Sequence, residues 1–206
     1  MIRPCWLVFA TALALSTPAA RADDVQPPGA AAAPQAKTAP EPAAKTPAEA
    51  AAELFDRLAR TQDSDEAAGI VTAISRLWLA SGSDTSDLLM SRALQAMQEK
   101  SYPLALEVLD SIVDLQPDWA EAWNKRATVR YLAGDSQGSM ADIAETLKRE
   151  PRHLGALAGL GAILEEAGRR EEALQVYQRA LDIAPQYRPM KDAAKRLKAA
   201  LTGQTL

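Results

Sequence analysis

The sequence predicts an all-α protein in which antiparallel helix pairs stack into an elongated array, and three observations lead to that fold class. Of the 206 residues, 48% are hydrophobic but only 5% are aromatic, which suits helices packed through alanine better than a β-sandwich. Prolines recur at Pro117, Pro151 and Pro185, 34 residues apart. Small residues recur in the same register, which indicates that a helix–turn–helix unit repeats along the chain.

The first residues predict a targeting segment, because a cationic start precedes a short apolar run. Arg3 is followed by the run WLVFATALAL, and Ala20-Arg21-Ala22 then supplies a small-residue cleavage site. The run is too short to span a bilayer comfortably. We therefore expect residues 1–22 to be a signal peptide, and the exported chain to have no integral membrane span. A retained N-terminal anchor is the alternative.

The number of cysteines indicates the cellular compartment, and the net charge indicates which classes of partner to expect. Cys5, the sole cysteine, lies inside the targeting segment, so the mature chain would build no disulfide. An exported chain without disulfides fits a bacterial periplasm better than a eukaryotic extracellular module. The net charge of −4 offers no basic field for nucleic acid, and we expect no nucleic-acid partner.

Residues 23–48 are rich in alanine and proline, with scattered charges and no bulky apolar residue after Val25. Such a segment buries too little surface to offset the entropy of ordering it. It is predicted to be a disordered linker. Whether it is a spacer across an envelope or a neutral tail stays open at this point.

The repeating segment carries a recognisable set of positions. In its last unit these are Leu157, Leu160, Gly161, Leu164, Ala173, Tyr177, Ala180 and Pro185. The set resembles the tetratricopeptide repeat family, over about residues 86 to 187 and in three units of 86–119, 120–153 and 154–187. The resemblance implies a tetratricopeptide α-solenoid. It also implies that the first helix of each unit lines a concave wall on which a protein or peptide docks.

Packing and capping follow from the same register. Ala93, Ala127 and Gly161 are small enough to let paired helices approach closely. Each repeat proline ends a second helix, because it lacks an N–H and disfavours helix before it. Asp118, with Glu121 three residues later, predicts a capping box at the start of the central repeat.

Helices are also predicted on both sides of the repeats. Residues 49–84 show apolar residues at helical spacing but lack the 34-residue register. They are interpreted as a divergent N-terminal helix pair that covers the exposed face of the first repeat. Residues 188–206 predict a capping helix and tail. The apolar side of that helix is expected to comprise Met190, Ala193, Ala194, Leu197 and Leu201.

The sequence contains no arrangement typical of catalysis, and the chain is predicted not to be an enzyme. His153 is the only histidine, and after processing no cysteine would remain to join it in a metal site. A solvated or helix-capping role is the expectation for it. No glycine-rich phosphate loop is present, so no cofactor or metal is expected.

The family resemblance implies a set of ligand-groove candidates on the first helices. They are Met90, Leu94, Met97, Asn124, Lys125, Thr128, Tyr131, Ala158 and Ala162. One branch of the family clamps a partner's terminal carboxylate with Lys, Arg and Asn side chains. Only Asn124 and Lys125 stand at suitable positions here, while Met90, Gly155 and Gly159 occupy places that need donors. A close copy of that clamp is therefore rejected.

The small residues of the last unit and Arg126 each allow two interpretations. The small wall formed by Gly155, Ala158, Gly159 and Ala162 could admit a partner segment, or it could pack against the C-terminal helix or another copy of the chain. Arg126 stands where the family pattern expects leucine. Its preferred interpretation is structural, with the guanidinium on Asp110 or Asp114, and direct ligand contact is the alternative.

These observations together predict an exported, periplasmic protein–protein interaction module, an adaptor or assembly factor that binds a protein or peptide in its concave groove. The alternative is a self-associating structural protein of the cell envelope. It would form homo-oligomers through the small wall or through the Met90 and Met97 stripe.

Overall fold

The computed structural model describes residues 45–203, which form nine α-helices. They are α1 (Pro47–Arg60), α2 (Ser64–Trp78), α3 (Asp84–Gln98), α4 (Tyr102–Leu115), α5 (Ala120–Leu132), α6 (Ser136–Arg149), α7 (Leu154–Glu166), α8 (Arg170–Ile183) and α9 (Arg188–Leu201). Within this range no helix is both long and apolar enough to cross a membrane. The predicted signal peptide and nearly all of the predicted linker lie outside the described residues.

Helix α1 begins earlier than the alanine and proline composition indicated. The Thr46 hydroxyl accepts the Glu49 N–H, and the Glu49 carboxylate accepts the Thr46 N–H, so the two residues form a capping box. Pro47 occupies the first turn, where its missing N–H costs nothing. The prediction that the linker extends to residue 48 is therefore wrong at its end, because 46–48 already belong to the start of a helix.

The three repeats are the pairs α3–α4, α5–α6 and α7–α8. Each pair is tight because small residues face larger ones: Ala105 and Leu109 are fully buried in the first repeat, and Ala173 is fully buried in the last. Gly161 is the extreme case, since a Cβ there would overlap the ring of Tyr177. The small residues predicted to allow close approach therefore lie where the helices of each pair meet.

The start of α5 differs from the prediction. The helix begins at Ala120 after Trp119, without a side-chain cap, so the expected capping box of Asp118 and Glu121 is wrong. Trp119 instead donates its indole N–H to the Trp78 carbonyl at 2.8 Å. Glu121 is 2% exposed and is directed into the interior, where it has other partners.

Helices α1 and α2, residues 47–78, are named the strap because they run along one edge of the array. Their buried residues Phe55, Leu58 and Ile74 share a core with Leu157 and Ala184 of the last repeat. The α1 helix contacts α8. The interpretation that this pair covers the outer face of the first repeat is therefore wrong, because its apolar side is buried against the other end of the array.

The strap contacts the turns that precede two of the first helices, and the start of α9. Its Trp78 carbonyl meets Trp119 before α5, and its Phe55 ring lies 4.1 Å beneath the Arg152 guanidinium before α7. Arg188, at the start of α9, donates to Ser64 at 2.7 Å. The strap therefore connects successive repeats that are otherwise joined only to their neighbours.

Helix α9 covers the far end of the last repeat. Met190, Ala193 and Leu197 are buried there, and α8 and α9 pack along their lengths. Leu201 was expected on the same buried side but is 38% exposed. It lies at the last residue of the helix, beyond the surface that α8 offers.

Candidate functional site: a cavity between the first helices of two repeats

A small cavity of about 100 Å³ opens between the first helices of the second and third repeats. Its floor is apolar and its rim on α5 is polar. The lining residues are Asn124, Ala127, Thr128, Tyr131, Ser139, Ile143, Gly155, Gly159, Ala162 and Ile163. Ligand sites are usually concave and largely apolar with a few polar groups, but they measure about 300–1,000 Å³. This cavity has that kind of lining at the size of a single side chain.

The cavity exists because α7 presents very small residues on this side. Gly155, Gly159 and Ala162 leave the space that larger side chains would occupy. A Cβ added at Gly159 would reach ordinary contact distance, 3.4 Å, from the Ile143 Cδ1 atom. Any longer side chain at Gly159 would therefore begin to fill the cavity.

Beside the α5 rim lies a buried polar cluster of Glu121, Asn124, Lys125 and His153. The Glu121 carboxylate accepts the Asn124 amide N–H at 3.1 Å and pairs with the Lys125 ammonium at 2.8 Å. Its Oε2 atom also lies 2.8 Å from His153 Nε2. These contacts orient Asn124, a cavity-lining residue, from within the core.

His153 connects the cluster to the start of α7. Its Nδ1 atom accepts the Ala156 N–H at 3.1 Å and caps the helix. Because Nδ1 is then an acceptor, Nε2 carries the hydrogen and donates to Glu121. The capping role considered for His153 is present, but the side chain is buried at 3% exposure and is not solvated.

The ionised form of Glu121 is stabilised despite its position. Burial opposes its ionisation, but the hydrogen bond from His153 and the charge of Lys125 together hold the pKa of this carboxyl below its ordinary value. Glu121 is therefore a buried carboxylate whose charge is neutralised within the cluster. The Lys125 ammonium forms its ion pair with Glu121.

Two acidic residues at the end of α7 accept tyrosine hydroxyl groups. The Tyr131 hydroxyl donates to Glu166, and this hydrogen bond raises the pKa of the Tyr131 phenol. Glu165 accepts the Tyr177 hydroxyl at 2.8 Å and pairs with Arg196 at 2.9 Å. Burial, and then the bond to Glu165, raises the pKa of Tyr177. Both tyrosines therefore remain protonated donors at neutral pH.

The structure brings four of the nine predicted groove residues to one cavity. Asn124, Thr128, Tyr131 and Ala162 line the same cavity. Lys125 lies beside it, paired with Glu121. Ala158 is half-buried and packs against the core shared by the strap and the last repeat.

The predicted residues of the first repeat do not reach the cavity. Met90 is 2% exposed and forms part of the core of that repeat, so its assignment to the groove is wrong. Leu94 and Met97 are partly buried and pack against the same core. The position of Met90 in the register is that of a wall residue, but here its side chain is turned inward.

Sequence reasoning missed the contribution of the second helix. Ser139 and Ile143 of α6 line the cavity, although only first helices were considered. Ser139 stands at the register position of Ala105 and Ala173 and is 1% exposed. A polar residue at a position that is otherwise alanine was a signal that could have revealed it.

The guanidinium of Arg126 is hydrogen-bonded to acidic side chains of the same chain. It donates to Asp110 at 2.8 Å, as predicted, and the alternative partner Asp114 is wrong. Its principal partner is Asp142, which accepts from Nε at 2.9 Å and from Nη2 at 2.8 Å. The bonds to Asp142 raise the pKa of Arg126. The structural interpretation of Arg126 therefore agrees with its contacts.

Within residues 45–203, no group of three or more His, Cys, Asp or Glu side chains is placed to hold a metal ion. What the described residues offer is a stack of helix pairs with a small cavity between the first helices of two of them. This combination defines a class of protein, the helical-repeat interaction scaffolds, in which binding occurs on the wall of stacked helix pairs.

Comparison with known proteins assigns the family. The tetratricopeptide repeat profile matches residues 124–188. A TPR repeat-containing protein of Rhizobium etli is 41% identical over 161 residues, which are 78% of this chain and 79% of the relative. The chain belongs to the tetratricopeptide repeat family.

Solved structures share the fold. The first TPR of Spaghetti, bound to the HSP90 peptide SRMEEVD, has a TM-score of 0.54 at 17% identity and covers 57% of this chain and 95% of its own. The Arabidopsis OM64 TPR domain has a TM-score of 0.53 at 22% identity, with 56% and 95% covered. These likenesses concern the repeat fold.

Proposed function

We propose that this protein is a periplasmic adaptor or assembly factor that holds an extended segment of a partner protein across the α5–α7 wall. It acts by binding and not by catalysis. The observation on which the proposal rests is the cavity itself, where four of the predicted groove residues meet. Export and cleavage before Asp23 belong to the proposal and rest on the leader-like residues 1–22.

The size of the cavity suits one aliphatic side chain of a partner. An engineered protein cavity of about 150 Å³ accepts benzene, so a space of about 100 Å³ suits a branched side chain such as valine. The apolar floor of Ala127, Ile143 and Ile163 would surround that side chain. A peptide in extended conformation presents alternate side chains to one surface, which allows one to enter while the backbone stays at the rim.

The rim can engage the backbone of such a segment. The Thr128 hydroxyl donates to the Asn124 carbonyl at 2.9 Å, and its oxygen still offers lone pairs to a peptide N–H. Thr128 is exposed, so the contact requires no rearrangement. The Spaghetti domain, which shares the fold, is a structure with a bound peptide, and this supports a peptide as the class of ligand.

The self-associating alternative loses one of its two surfaces. Met90 is buried, so a stripe of Met90 and Met97 cannot form between copies. The small wall would remain for that role. Light scattering on the mature chain separates the two: a monomer at every concentration agrees with an adaptor, and a concentration-dependent dimer favours self-association.

Crosslinking in cells tests the docking site. A photoreactive residue at Thr128 should capture a partner, whereas one at Glu107, which is exposed on α4, should not capture the same protein. Gly159→Leu, which fills the cavity, should reduce the capture at least tenfold. Gly69→Leu is the matched control, because nothing lies within 4 Å of a Cβ at Gly69.

Two outcomes would contradict the proposal. One is equal capture from both crosslinking positions, and the other is capture that Gly159→Leu does not change.

Export is tested separately by fractionating the cells and measuring the mass of the mature chain. We expect it in the periplasmic fraction with Asp23 as its first residue, and an intact chain in the cytoplasmic fraction would contradict that part.

A further inference from the structure

The charges around the cavity are unequal. On the α5 side, the Lys125 ammonium is paired with the buried Glu121 carboxylate at 2.8 Å. At the end of α7, the Arg196 guanidinium is paired with Glu165 at 2.9 Å. Each of these two cations is thus matched by an acid. Glu166 is an additional acid, exposed at the end of α7.

Glu166 is joined to the cavity lining through one residue, Tyr131. Its carboxylate accepts the hydroxyl of Tyr131, and Tyr131 lines the cavity. A phenol donor supplies a hydrogen bond but no positive charge. This hydrogen bond therefore does not offset the negative charge of the Glu166 carboxylate, which lies next to the hydroxyl of a cavity-lining residue.

From this arrangement we infer that the groove selects a segment with a branched aliphatic residue next to a lysine or arginine. The aliphatic side chain fills the cavity and the cation pairs with Glu166. The inference rests on the proposed function, since it names the chemistry of the partner at the same site. It also implies that acidic segments are rejected, because nearby cations are already engaged by Glu121 and Glu165.

The geometry of an extended peptide sets the spacing. Residues two apart point to the same side and lie about 7 Å from each other. Tyr131 lines the cavity and its hydroxyl binds Glu166, so the cation is placed two residues from the aliphatic side chain. Exposed ion pairs contribute little singly, so the difference between a cationic and an acidic neighbour combines attraction with repulsion, and we expect about a tenfold change in Kd.

Three labelled probes test the inference. Each is a seven-residue alanine and serine peptide, blocked at both ends. The first has valine at its centre and lysine two residues to either side, so that either chain direction places a lysine near Glu166. The second replaces both lysines with glutamate, and the third replaces the central valine with alanine. Fluorescence anisotropy gives the Kd of each probe for the mature protein.

The protein variants are chosen in matched pairs. Glu166→Lys reverses the charge at the rim, and Glu107→Lys makes the same change in net charge at an exposed position on α4. Wild type should bind the lysine probe about tenfold more tightly than the glutamate probe. Glu166→Lys should invert that order, and Glu107→Lys should preserve it. Circular dichroism on every variant establishes that the helices are retained.

The results separate the inference from the function beneath it. If Gly159→Leu and the alanine probe both weaken binding but wild type does not prefer lysine, the docking site stands and the inference about charge is wrong. A preference that persists unchanged in Glu166→Lys also overturns it. If no probe binds wild type, or if binding survives Gly159→Leu, the docking proposal fails and the inference fails with it.

Discussion

The indole of Trp78 stacks on the imidazole of His153, with ring centroids 4.4 Å apart and planes within 17° of parallel. Trp78 is the last residue of the strap, and His153 caps α7 while donating to Glu121. The stack therefore joins the N-terminal helices to the polar cluster beneath the cavity. Positions far apart in sequence meet at this one contact.

Removing the indole should loosen the strap. Trp78→Ala loses the stack on His153 and the contact with Phe55. Because Trp78 is only half-buried, the cost should lie near the low end for an aromatic truncation, about 3 kcal/mol. Urea unfolding measures it. Trp78→Phe should recover most of the loss, and equal destabilisation by both variants would contradict a stacking role.

Stability should depend on the ionisation of Glu121. Its pKa is lowered in the folded state, so the stabilisation is present above the unfolded-state value of about 4.3 and is lost as pH falls through the lower folded value. Wild type should exceed Glu121→Gln most at neutral pH and approach it in acid. Thermal unfolding from pH 7 to pH 3 tests this. A gap that stays constant over that range would refute the assignment.

Replacing both Arg126 and Asp142 with apolar residues should destabilise the protein less than replacing either one alone. The last repeat has Leu160 and Val176 at the same register positions. Asp142 is 2% exposed and also pairs with Arg130 at 3.2 Å, so Arg126→Leu leaves it one cation. Asp142→Val leaves Arg126 with Asp110 alone. Each single variant should therefore destabilise the fold, but by less than the cost of about 3–5 kcal/mol for a fully unpaired buried charge. The double variant should be close to wild type. Double-mutant cycles in urea measure the coupling, and additive single costs would count against it.

Adding a side chain at Gly161 should destabilise the protein, because the Tyr177 ring lies against this residue. Gly161→Ala places a methyl group against the Tyr177 ring, and overpacking of this kind costs about 1–3 kcal/mol. The control is Gly69→Ala, where nothing lies within 4 Å of the added Cβ. It should stabilise α2 by up to about 1 kcal/mol through helix propensity. Opposite signs in thermal unfolding are expected, and the same sign would contradict the packing account.

Much of the repeat architecture could be predicted because it is local. The register of Pro117, Pro151 and Pro185 and the small residues between them describe contacts within one helix pair or between neighbours. These contacts recur at a fixed separation along the chain. The family resemblance also implies groove candidates in the same register, and three of them, Asn124, Thr128 and Tyr131, lie on one first helix and line the cavity.

The errors share a different cause. The strap was placed on the first repeat because that is its neighbour in sequence, but Leu58 and Ile74 are buried with Leu157. Glu121 was interpreted as a capping residue because local spacing favoured it, but its partner His153 lies 32 positions away. Met90 occupied a wall position in the register but is turned into the core.

Sequence periodicity therefore determines which residues form helices and how the helices pair, because these depend on contacts at short, repeated separations. The tertiary structure decides where the strap docks, which acid His153 meets and which wall residues surround open space. Those outcomes depend on how surfaces from distant segments fit and on which buried charges find partners. Arg126 illustrates both cases. Its partner Asp110 could be predicted from the sequence, whereas its partner Asp142, on α6, was found only in the structure.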